Sequence, residues 1–194
     1  MFTGTSHAPY LLIYLFDLYL WARGFSPVPG SKMKRRRRPY RLPPQCYVGQ
    51  VTVAFTLCLE RPTPFSTNTE IARTLTKFLA KSAEKHNFNA VFCFMPEHAH
   101  FILIGKLDNS DLLAGMYTFK QATGHWLRNH EPSVAWQESF YDHVIRVHED
   151  LRAQVRYLVN NPVRRGLVND WRQYSFTGAI GINLEEFLFE VSVF

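Results

Sequence analysis

Cysteine is scarce in this chain: the 194 residues hold only Cys46, Cys58 and Cys93, an odd number with no Cys-x-x-Cys spacing. That scarcity excludes a disulfide framework and a cysteine-rich zinc site, and it fits reduced thiols in a cytoplasmic protein. A membrane-length apolar run is missing too. The stretch from Tyr10 to Trp21 contains Asp17 and falls short of the roughly 20 residues needed to cross a bilayer. It has neither a basic leader nor a clean small-residue cleavage site, so it reads as a packed helix or an extension outside the functional unit. No internal repeat points to a solenoid. Carboxylates are in deficit, 16 against 22 Lys and Arg, which gives a net charge of +6 and favours an anionic partner such as nucleic acid. Lys32, Lys34, Arg35, Arg36, Arg37, Arg38 and Arg41 together outweigh that excess, leaving the rest of the chain close to neutral.

What is present is enough for one packed domain: 46% of the residues are hydrophobic and 16 are Phe. A Pro, Gly and Ser linker at Phe25 to Gly30 and the arginine run set apart residues 1–43 as an N-terminal extension. Regular structure is expected over 44–178, with 179–194 as a C-terminal tail. Within the domain, alternating apolar residues predict strands at Tyr47–Glu60, Phe88–Met95, Ala99–Lys106 and Tyr141–Val147. Helical spacing predicts helices from about Thr67, over Leu112–Asn129 and over Asp150–Asn161, with Ser66 or Thr67 capping the first. The order β-α-β-β-α-β-α predicts an α+β fold of ferredoxin-like type. In it an antiparallel sheet has helices packed on one face, and the C-terminal helix carrying Tyr157 crosses the other.

The chemistry concentrates in two segments. In Met95-Pro-Glu-His-Ala-His100 two imidazoles stand two residues apart at the start of a strand, so they share one face and together suit a divalent cation. In Tyr157-Leu-Val-Asn-Asn161 a phenol and an amide stand four positions apart on a helix, which presents a hydroxyl nucleophile and an oxygen ligand side by side. Glu97 adjoins the histidines but is better placed to form the turn. Trp136 suits either the core or a base-stacking surface, and His143 suits a satisfied structural position. Lys120, Arg146, Arg164 and Arg165 are candidate phosphate contacts, the last two equally suited to closing a helix.

Three ordered elements, Met95 to His100, Trp136-Gln137 with Tyr141-Asp142-His143-Val-Ile-Arg146, and Tyr157 to Gly166, resemble the single-tyrosine HUH transposases, most closely the REP-associated tyrosine transposases, over about Arg41 to Phe176. The resemblance implies Mg2+ or Mn2+ on His98, His100 and the amide of Asn161. It further implies Tyr157 as the nucleophile on single-stranded DNA at hairpin-forming element ends, a covalent 5′-phosphotyrosine, and no small-molecule substrate. Monomer and homodimer stay open, as does whether Tyr157 serves its own or a partner's metal site. A non-catalytic nucleic-acid-binding module on the same scaffold and a rolling-circle nickase are the alternatives. The first forty residues have no counterpart in the family pattern.

Overall fold

The computed structural model describes residues 41–61 and 68–189. The expected extension and the stretch Tyr10–Trp21 therefore lie outside the described residues, apart from the stub 41–43. Five strands, β1 (Thr52–Cys58), β2 (Phe88–Phe94), β3 (His98–Gly105), β4 (Tyr141–Ile145) and β5 (Thr177–Ile180), form one sheet in the order β4-β1-β3-β2-β5. Every neighbouring pair is antiparallel. The helices are α1 (Thr69–Lys85), α2 (Leu112–His130), α3 (Leu151–Val159), α4 (Asn161–Arg164) and α5 (Leu184–Phe189), giving an α+β domain whose first seven elements follow the expected order.

Strand alternation divides the core into two layers. Val53, Phe55 and Leu57 of β1, Phe92 and Phe94 of β2, and Phe101 and Leu103 of β3 meet Leu75 and Leu79 of α1 and Met116 and Phe119 of α2. The intervening residues face the other way. Val91, Cys93, Ile102 and Ile145 pack with Val155, Leu158 and Val159 of α3. Both faces therefore carry helices: α1 and α2 lie on one, and α3 buries its apolar stripe against the other. The expectation that α3 is the last helix is corrected, since α4 and α5 follow it. The expected tail also needs correction, since β5 pairs with β2 through Ile180 and α5 buries Leu184 and Leu188 in the second layer. A four-residue strand containing Gly178 carries too little alternation to be read from sequence.

Caps fix the helix starts. Asn68 accepts hydrogen bonds from the Glu70 and Ile71 N–H groups at 3.0 and 3.3 Å, so it caps α1 in place of Ser66 or Thr67, which lie outside the described residues. Asp111 and Asp150 cap α2 and α3 in the same way, each accepting from the N–H three residues on. Gly105 is required by a close approach, because a Cβ there would stand 2.0 Å from the Gly49 carbonyl oxygen. Among the described residues no helix is long and apolar enough to cross a membrane.

Candidate active site

His98 and His100 lie on the sheet face that α3 covers. The register sets Cys58 of β1 opposite His98 and Thr56 opposite His100, with Cys93 of β2 on the other side of His100. The Nε2 atoms of the two histidines are 2.9 Å apart, with ring planes at 79°. Two nitrogen lone pairs cannot face each other at that distance, so a proton or a cation must lie between them. Ligands at right angles around one ion at about 2.1 Å stand roughly 3 Å apart, so the couple fits a single divalent ion. The second ring nitrogen of His100, Nδ1, is 3.0 Å from Thr56 Oγ1. Such a partner orients the ring and leaves Nε2 facing the site.

Burial, the neighbouring His100 and the Arg165 guanidinium push the pKa of His98 well below the usual imidazole value, which keeps the ring neutral and its lone pair available. Both thiols beside the couple are buried and raised to about 12, chiefly by that burial. Among the described residues no three His, Cys, Asp or Glu side chains converge on one point.

Tyr157 lies near the end of α3, half-buried, with the Arg164 guanidinium over its ring at 4.2 Å from the centroid. Asn161 is 7% exposed and begins α4, so the expected single helix through both residues is interrupted at Asn160. Proline causes the break. Pro162 has no N–H to offer the Leu158 carbonyl one turn back, and the Asn161 side-chain amide donates there instead at 3.1 Å, and to Tyr157 O at 3.3 Å. The amide nitrogen is thereby committed to these carbonyls, and the amide oxygen faces away from them.

Other predicted residues fall in different places. Trp136 is a core side chain, 7% exposed, whose N–H donates to Thr123 Oγ1 at 3.0 Å, so its ring has almost no surface to offer a base. Lys120 donates to the Glu138 carbonyl oxygen at 2.9 Å. Arg146 is exposed just beyond β4. Arg165 faces Glu97 at 3.9 Å and sits close enough to affect His98, whereas Glu97 itself forms the β2–β3 turn. His143 is held by both oxygens of Glu149, at 2.9 and 3.1 Å, in keeping with a structural role. Sequence reasoning missed Thr56; its one signal was a hydroxyl on the inward period of a strand that pairs with the histidines.

A histidine couple on an antiparallel sheet, covered by a helix that carries a tyrosine, is the arrangement that the motif resemblance implies. The chain is similar in sequence and structure to REP-associated tyrosine transposases. It is 27% identical over 111 residues, half of its length, to a Haemophilus influenzae protein described as a REP-associated tyrosine transposase, and spans 63% of that relative. The solved structure of a REP-associated tyrosine transposase bound to a REP hairpin superimposes with a TM-score of 0.56 at 25% identity, covering 75% of this chain and 82% of that one. No family model matches.

Proposed function

We propose that the protein nicks and rejoins single-stranded DNA at hairpin-forming ends, with Tyr157 as the nucleophile and a divalent ion, Mg2+ or Mn2+, held by His98, His100 and the oxygen of Asn161. The observation that carries this reading is the facing pair of Nε2 atoms on the sheet face covered by the tyrosine helix. Homology to a transposase solved with a REP hairpin supports the substrate class, and the β-α-β-β-α-β order supports a ferredoxin-like scaffold.

A phenol ionises near pH 10, so its oxygen attacks slowly unless its charge is favoured by the surroundings. When bound, the ion would supply charge neutralisation at the scissile phosphate. Arg164, stacked on the Tyr157 ring, restricts the ring's rotation and adds positive charge beside it. The Tyr157 oxygen bonds to phosphorus, the bond from phosphorus to the 3′ oxygen breaks, and that oxygen leaves as a hydroxyl after taking a proton. A 5′-phosphotyrosine and a free 3′-hydroxyl result. Attack by another 3′-hydroxyl reverses the step on a new partner without ATP, which is strand transfer.

Labelled hairpin-bearing oligonucleotide incubated with the protein and Mn2+ tests the reading. Cleavage that stops on chelation and in folded Tyr157→Phe supports it. Equal cleavage by Tyr157→Phe rules out the assigned nucleophile, and tight binding without cleavage under any metal favours the non-catalytic module.

A further inference from the structure

The histidine face is covered unevenly. α3 lies over β2 and β3, whereas on the β1 and β4 half Ala54, Tyr141 and His143 are only partly buried. Register places these side chains. Thr56 pairs with Tyr141 on one side and with His100 on the other, so Tyr141, Thr56 and His100 form one row across the sheet. His143 stands in the next row, opposite Ala54. Tyr141 and His143 are two residues apart on β4, so both point to the face that carries the histidine couple.

Among the described residues the Tyr141 hydroxyl makes no hydrogen bond and its ring meets no other ring. His143 is fixed: both oxygens of Glu149 hold its Nε2, at 2.9 and 3.1 Å. That bond uses the edge of the imidazole and not its face, and the side chain stays 38% exposed. Side chains at i and i+2 of a strand stand about 7 Å apart, twice the roughly 3.4 Å rise of stacked bases. One flat base therefore fits between the two rings, above the methyl of Ala54.

The slot is within range of the couple. From β4 to β3 is two strand spacings, about 10 Å, comparable to the reach of a nucleotide from its phosphate to its base. Arg165 stands near Glu97, beside His98, so a phosphate at the couple has a cation next to it while its base points along the row to β4. Trp136, the aromatic that the sequence offered for stacking, is buried in the core and cannot take that part.

We propose that Tyr141 and His143 form a slot that holds one unpaired nucleobase next to the scissile phosphate, with the Tyr141 ring as the stacking surface. This rests on the nucleic-acid reading above and adds a positioning residue to it: stacking fixes the base, and the base fixes the phosphate over the couple. The competing occupant is a second copy of the chain at the β4 edge. A gap one ring wide suits a base better than a protein surface.

The test uses the full chain, Tyr141→Ala and Tyr141→Phe. Binding is measured with Tyr157→Phe present throughout, so that the oligonucleotide stays intact, and cleavage with Tyr157 in place. The probe is a hairpin-bearing single-stranded oligonucleotide in which the fluorescent base 2-aminopurine is moved position by position through the flank. Quenching is expected at one position of the scan in the parent and in Tyr141→Phe, and is expected to be lost in Tyr141→Ala. Affinity is expected to fall about 10- to 100-fold in Tyr141→Ala and to stay within about twofold in Tyr141→Phe. Should Tyr141→Ala unfold, Tyr141→Leu, which keeps bulk without the ring, takes its place with the same expectation.

Quenching that survives the loss of the ring, or no quenching at any position, overturns the slot. A Tyr141→Phe protein that behaves like Tyr141→Ala moves the role to the hydroxyl and overturns the stacking. Dimerisation that Tyr141→Ala abolishes, with quenching unchanged, assigns the face to a second copy. Cleavage is scored separately. A parent that cleaves without position-specific quenching loses only the slot, whereas quenching that depends on Tyr141 without any cleavage loses only the catalytic reading.

Discussion

Thr56 and His100 face each other across β1 and β3, with Thr56 Oγ1 3.0 Å from His100 Nδ1 on the side of the ring away from His98. Strand register alone sets this contact, so the backbone ladder determines which nitrogen of His100 turns toward its neighbour. Thr56 is 3% exposed, and its hydroxyl has no competing solvent. Thr56→Val, close in shape and lacking the hydroxyl, is expected to weaken Mn2+ binding about 10- to 100-fold by calorimetry. Unchanged affinity would mean that the hydroxyl does not orient the ring.

Asn161 does the work of the N–H that Pro162 lacks. Asn161→Ala leaves the Leu158 carbonyl without this donor at the junction of α3 and α4, and the expected loss of stability is about 1–2 kcal/mol in chemical denaturation. Pairing the change with Pro162→Ala restores a backbone N–H and is expected to recover part of that loss. No recovery would show that the amide's contribution lies elsewhere.

Glu149 ties β4 to α3. Burial alone would raise its carboxyl, but hydrogen bonds from His143, the Arg146 N–H and Gln154 outweigh it and hold the group below its ordinary value of 4.5. A depressed carboxyl stabilises the fold fully above the unfolded-state value, and that stabilisation is lost as pH falls through the folded value. Glu149→Gln is therefore expected to cost about 1–2 kcal/mol at pH 7, with the gap to the parent narrowing below pH 4.5. Denaturation midpoints at the two pH values check this, and a gap that is constant with pH would contradict it.

The element order through α3 was legible in the sequence because long alternating and helical patterns dominate there. The sharing of a face by His98 and His100 was equally legible, since it follows from strand periodicity alone. β5 and α5 were hidden by their shortness. Trp136 could be core or surface by composition, and its burial depends on Thr123, a partner thirteen residues away on α2. The ion pair of Arg41 joins it to Asp142, 101 residues downstream, and no local pattern announces it.

Attack of Tyr157 on a DNA phosphate beside the histidine couple is the step that the proposed function requires. Mass spectrometry of the digested protein, after incubation with a hairpin oligonucleotide and Mn2+, measures this directly. The predicted result is a peptide containing Tyr157 with a 5′-linked nucleotide on its phenolic oxygen, absent after chelation and in His98→Ala. Robust cleavage with Tyr157 unmodified, or a nucleotide on a different residue, would contradict it.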